Sequence, residues 1–359
     1  MTIEFTQDDW RRIDETYTAW WAGELGRPVI NVAVQGRDPG RAQPDLPLYR
    51  FQAQYGMDVP AERIIDRYDY DLCCRRYPGD AFPNMRLNFG AGVLAAFLGA
   101  RAEPDERTVW FHPSEDKPIS EIKLEYRSDS PWLERHKALA RAAADRWDGL
   151  VQVGQTDLGG NLDVVSTFRP GEKLLLDLYD HPDEVKRVTW EEHDLWFRYF
   201  EELDAALRPP NPGYTCWTPI FSAQPYYMLQ CDFCYMISPR MFDEFVKPEL
   251  AAACKRLPNA FYHLDGPGQL PHLDSLLEID ELDGVQWVPG AGQPYMDHWP
   301  DVYRRIHAAG KRIQLFGGPG ILDAVAEQIG DARGICLIGE VGPDDEQVLT
   351  DALKRYGAD

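Results

Sequence analysis

The sequence predicts an α/β chain folded as one (β/α)8 TIM barrel, and three observations carry that expectation. Strand-like and helix-like runs alternate through roughly the last two hundred residues, the pattern of βα units and a parallel sheet. The first strand-like run, VINVAV at residues 29–34, is almost continuously apolar and β-branched, as suits a strand covered on both faces. The count of such units approaches eight, and no linker separates two halves, so residues 1–359 are expected to form a single domain. An open doubly wound sheet is the alternative arrangement of the same pattern.

The elements follow in order. A helix is expected over 8–21, with Thr6 as N-cap and Asp9 as the acid three residues on, closed by Gly23 and Gly26. It is expected to cap the barrel. After VINVAV comes a loop rich in Pro, Gly and Arg. Further strands are expected at GLVQVGQTD (149–157), YTCWTP (214–219), AFYHLDG (260–266), GVQWVPG (284–290), RIQLFGG (312–318) and GICLIGE (334–340). Helices are expected over 182–206, 239–256, 270–279, 298–309 and 320–329. Residues 108–111 and 121–126 flank HPSEDKP and are expected to form an antiparallel hairpin inserted into the scheme.

Composition excludes several classes. With 37 basic and 59 acidic side chains the net charge is −22, which opposes a nucleic-acid partner and an anionic membrane surface. Hydrophobic residues at 44 % and aromatics at 12 % are globular values, against disorder. The N-terminus has no signal-peptide pattern, and no apolar run reaches the length of a membrane span. Seven scattered cysteines read as reduced thiols, and a cytoplasmic location is expected.

The strand ends carry the polar chemistry. Asp157 follows VQV, Trp217 follows YTC, His263 and Asp265 follow AFY, Gln286 and Trp287 lie in GVQWV, and Glu340 follows ICLI. Barrel active sites form at the C-terminal strand ends, so these residues are expected to converge on one mouth. In His263-Leu264-Asp265, positions i and i+2 share a face. The pair can bind a metal, form a proton-transfer couple, or simply hold the turn at Gly266-Pro267-Gly268. Trp217, Trp287, Tyr226 and Tyr227 are candidates for a substrate pocket, Gln286 for a polar contact; aromatics at such positions are more often packing.

Other motifs are weaker. Cys231-x-x-Cys234 has no second pair and reads as buried thiols. Gly90-x-Gly92-x-x-Ala95 lacks a preceding strand and a following acid for a dinucleotide site. Gly317 to Gly320 reads as a turn, with an anion seat at a helix start as the alternative. The chain contains no P-loop, no H-E-x-x-H, no G-x-S-x-G and no corrinoid-binding D-x-H-x-x-G.

Three phrases, TDLGGNLDVVSTFRPGEKLLLDLYDHPDEVKRV (156–188), LQCDFCYMISPRMFDEFVKPEL (229–250) and FYHLDGPGQLPHLDSLL (261–277), resemble the uroporphyrinogen decarboxylase superfamily in sequence and in order. The resemblance runs from about Pro60 onward. It implies a (β/α)8 barrel with its site at the C-terminal mouth, and either a porphyrin decarboxylase or a methyltransferase serving a corrinoid protein. The decarboxylase branch carries an arginine-rich N-terminal signature; WWAGELGRPVINVAV stands in its place here. The methyltransferase branch commonly holds zinc through His-x-Cys and a later Cys. His263 stands at the His position, Asp265 at the first Cys, and Glu340 near the last, with Cys336 close by.

A His263, Asp265, Glu340 set is harder than a thiolate set and suits activation of an oxygen or nitrogen leaving group. The resemblance therefore implies a demethylating enzyme, passing a methyl group from a small O- or N-methyl donor to a separate corrinoid protein. His263, Asp265 and Asp157 are its expected catalytic residues, with a divalent metal such as zinc or a direct proton donor at the leaving group. A decarboxylase or lyase acting on a small carboxylated metabolite is the second expectation, and a non-catalytic metabolite-binding barrel the third.

Overall fold

A computed structural model describes residues 2–208 and 210–359. It shows a mixed α/β fold with a parallel sheet and many helices. Eight strands matter for the site: β1 (Val29–Gln35), β2 (Asn84–Arg86), β3 (Gln152–Gly154), β4 (Tyr226–Gln230), β5 (Asn259–Asp265), β6 (Gly284–Val288), β7 (Arg312–Phe316) and β8 (Ile335–Val341). β4 to β8 lie side by side in chain order, all parallel, and β8 then pairs in parallel with β1. A short strand, Arg75–Arg76, adds antiparallel to β1. β2 and β3 pair in parallel with each other. A helix follows each strand before the next begins, as short parallel strands require of their crossovers.

The strand of β1 is buried from Val29 through Val34, as its apolar run anticipates. The first helix, Gln7–Trp21, opens with a capping box in which Thr6 and Asp9 satisfy each other's backbone N–H groups. Its inner face packs Trp10 and Tyr17 on Phe82 and Phe221, and Trp20 and Trp21 on Phe261. These contacts lie towards the N-terminal ends of the strands, opposite the polar ends.

Three expected elements differ. Residues 214–219 do not form a sheet strand; Tyr214 makes only an isolated bridge to Ser222, and the strand begins later, at Tyr226. The inserted hairpin pairs Arg101–Pro104 with Val109–His112, so the partner precedes the second strand, and the 121–126 stretch stays outside any strand. The helix expected over 239–256 is continuous but widens to a π-type turn at Phe242–Val246. Pro248 follows within the next helical segment and lacks the N–H that would bond back to Glu244, so the turn before it loosens. None of the seven cysteines is in a disulfide. Among the described residues no helix is long and apolar enough to cross a membrane.

Candidate active site

Asp232, His263 and Asp265 each bring a donor atom within 4.8 Å of the others. The i, i+2 spacing on β5 puts His263 and Asp265 on one face, while Leu264 between them is buried on the other. Asp232 stands just after β4, on the first turn of the short helical segment Asp232–Met236. That turn is held by Asp163, whose carboxylate accepts the backbone N–H groups of Asp232 (2.8 Å) and Phe233 (2.7 Å). Gln269 donates to Asp232 at 3.3 Å. Partial desolvation and the neighbouring Asp265 push the Asp232 carboxyl up, while His263 draws it down. Two carboxylates and an imidazole so close form a site that a cation would stabilise.

His263 is fixed from two sides. Its Nδ1 meets the side-chain oxygen of Gln286, and the Gln286 amide donates in turn to Gln314. The indole of Trp217 meets the imidazole edge to face, with ring centroids 5.1 Å apart. Trp217 comes from the irregular 214–222 stretch. It is anchored by its Nε1, which donates to Met228 O, and by Arg86, which donates to the Trp217 carbonyl at 2.7 Å.

Asp157 lies at the end of β3, accepts the Gly159 N–H at 3.0 Å, and is half-buried. Burial pushes its carboxyl up to about 6; Arg86 and His263 pull it down and Asp232 pushes it further up. It therefore shares an electrostatic environment with the cluster. Beside Arg86 opens a cleft of about 420 Å³ lined by Arg50, Arg75 and Arg86 against a single acid, Asp71, with Asn84 and Asn88.

Several expected site residues stand elsewhere. Glu340 is apart from the Asp232–His263–Asp265 cluster: its carboxylate is held by Arg75 (2.8 Å) and Gln35 (2.6 Å). Trp287 cannot share the mouth with Gln286, because adjacent strand residues point to opposite faces. Gln286 is in register with His263, whereas Trp287 is in register with Leu264 and packs, fully buried, on Trp299. Tyr226 is the first residue of β4, at the end of the strand away from Asp232. It is fully buried among Trp21 and Phe261, with its hydroxyl on Thr218. Tyr227 donates to the Thr156 carbonyl and receives the Leu158 N–H, bracing the chain on either side of Asp157. Asp232 and Gln314 are the residues that sequence reasoning missed. The signal for Asp232 was present: it follows the apolar run YYML, as the other strand-end acids follow theirs.

No protein-family model matches the chain, and no curated protein matches it. Among solved structures, a methyltransferase from Methanosarcina mazei is similar with a TM-score of 0.62. The match covers 96 % of this chain and 99 % of that one at 13 % identity. At that identity the similarity is one of fold.

Proposed function

We propose that the chain is a methyltransferase of the uroporphyrinogen decarboxylase superfamily. In this reading it moves a methyl group from a small O- or N-methyl donor to the Co(I) corrinoid of a separate protein. The eight strands then close into a single-domain (β/α)8 barrel. Support for closure comes from β8 lying on β1, and from backbone bonds at the two interruptions of the ladder, Asp80 N to Ile30 O and Gln155 N to Thr215 O. The fold similarity to a methyltransferase supports the reaction class.

The observation that carries the reading is the Asp232–His263–Asp265 triad at the strand ends. Its nitrogen and two carboxylates, within 4.8 Å of one another, are donor types that a zinc-like ion takes, and three protein ligands would leave one position open. Bound there, the metal would polarise the leaving heteroatom of the methyl donor. The chain's own groups do the rest. His263 and Asp265 hold the leaving-group side of the substrate against Trp217. Asp157, partly protonated near neutral pH, returns a proton to the oxygen or nitrogen as the methyl group departs to cobalt. The carbon–heteroatom electron pair stays on the heteroatom, and the cobalt pair forms the new bond.

The test mixes the purified protein with a corrinoid protein reduced to Co(I) and a panel of methyl ethers and methylamines. Loss of the Co(I) absorption with formation of methylcobalt is expected for at least one donor. No conversion with any donor and any corrinoid protein from its own gene neighbourhood would remove the reading. A second reading, a decarboxylase or lyase on a small carboxylated metabolite, is favoured by the arginine-lined cleft at Arg50, Arg75 and Arg86. Release of carbon dioxide from a carboxylate panel without cobalt would select it.

A further inference from the structure

We infer that Gln286 and Gln314 are positioning residues which hold His263 in the tautomer with hydrogen on Nδ1 and the lone pair on Nε2. The three residues stand abreast on β5, β6 and β7, since His263 is opposite Gln286 and Gln286 opposite Gln314. Both glutamines are completely buried, so each amide must find its partners inside the protein.

The direction of the chain of hydrogen bonds is set at one end. The backbone carbonyl of Leu315 can only accept, and Gln314 Nε2 donates to it at 2.7 Å. Gln314 therefore turns its oxygen towards Gln286, and that oxygen can only accept. Gln286 answers with its NH₂ and turns its own oxygen towards His263. Against that oxygen Nδ1 must carry the hydrogen. The opposite tautomer would press two acceptors together in a buried site, and flipping both amides would set Gln314 Oε1 against Leu315 O. One main-chain carbonyl thus fixes the polarity of two amides and an imidazole.

The consequence lies on the other ring nitrogen. With Nδ1 committed to Gln286, Nε2 is the atom left to serve the carboxylate cluster. In the neutral ring it is an acceptor, ready to bind a cation or take a proton without tautomeric rearrangement. Trp217 limits rotation of the ring about its own axis. This assignment extends the methyl-transfer reading; only its zinc readout rests on that reading.

The experiment uses the full-length, metal-free protein labelled with ¹⁵N-histidine, read by long-range ¹H–¹⁵N correlation, with the His263 signals identified by their loss in His263→Gln. Wild type is expected to show the Nδ1–H form. Gln286→Leu removes the acceptor and is expected to move His263 wholly or partly to the Nε2–H form. Gln314→Leu frees the Gln286 amide to flip and is expected to do the same to a smaller extent. Gln286→Glu keeps an acceptor and is expected to restore the wild-type pattern. In chelator competition, zinc should bind Gln286→Leu about 10–100-fold more weakly than wild type, with Gln286→Glu close to wild type. An Nε2–H form in wild type overturns the inference, as does an unchanged Nδ1–H form in Gln286→Leu or, where wild type binds zinc, an unchanged zinc affinity in that variant. The spectra are recorded without substrate or cobalt. Expected tautomers in a protein that transfers no methyl group would therefore sink the methyltransferase reading and leave the relay standing.

Discussion

Two ends of the same sheet carry acidic residues, and they have opposite fates. Near the end of β8, Glu340 meets Arg75 and Gln35, and Arg75 also binds Asp71 at 2.6 Å, so charge is matched on the spot. Around the ends of β4 and β5, Asp232 and Asp265 crowd His263, while Arg86, beside Asp157, is turned to the Trp217 carbonyl. A carboxylate at a strand end thus marks a position, and whether a guanidinium reaches it decides the role. The paired acid ties β8 to β1 and the short strand beside it; the crowded acids keep an unmet affinity for a cation.

The sharpest way to break this comparison is Asp232→Asn, alongside His263→Ala. Methyl transfer to Co(I) is expected to fall by about two to four decades in each, and zinc retention to fall with it. Near-normal turnover in Asp232→Asn would return the triad to a structural role. Trp287→Ala probes the outward face of β6. It should cost roughly 3–5 kcal/mol in urea unfolding while leaving the KM for the methyl donor nearly unchanged, because the indole fills core against Trp299. A large KM rise in the still-folded variant would put Trp287 back at the mouth.

Asp157 gives an intermediate effect with a defined sign. Its folded value, about 6, lies above the ordinary 3.8, so the folded state holds the extra proton between those values. Wild type should therefore lose more stability than Asp157→Asn as pH rises from about 4 to about 6. The variant is expected to gain about 1–2 kcal/mol relative to wild type between acid and neutral pH, less than the full shift implies because solvent reaches the half-buried group. Parallel urea melts at both pH values measure it; a gain towards acid pH would contradict the assignment. Glu340→Gln is the smallest case. Removing a half-exposed ion pair should cost below about 1 kcal/mol and leave zinc affinity within about fivefold of wild type. Loss of zinc binding there would erase the distinction between the two ends.

The sequence showed most of the sheet and only part of the site. β1 and β5 to β8 were legible because each is a short apolar run bounded by Gly, Pro or Asp. β4 was not: YTCWTP has the stronger β-forming composition, yet Pro219 and the bridge to Ser222 keep it irregular, while YYMLQ beside it enters the sheet. Misplacing that strand hid Asp232, since its place at a strand end could not be seen. His263 and Asp265 were paired by spacing alone, and the structure brings their donor atoms together. Gln286 and Trp287 were both aimed at the mouth, although strand alternation allows only one. Glu340 was misjudged because its partner Arg75 arrives from a distant part of the chain, and no local pattern announces such a contact.

Arg312, at the start of β7, donates to the carbonyls of Trp20 and Trp21 at the end of the first helix, 291 residues earlier for Trp21. This helix is therefore synthesised long before the last of its partners. At synthesis rates of about 5–20 residues per second, the aromatic face of that helix waits roughly 15–60 s before Arg312 is made. Within that interval Trp10 and Tyr17 lack Phe221, and Trp20 lacks Phe261, until those residues are made. The nascent chain thus carries an amphipathic helix whose aromatic face a chaperone can recognise through much of its synthesis. Burial of this face is tied to synthesis of β5 and β7, and a product stalled before them keeps the aromatic face exposed to proteolysis and aggregation.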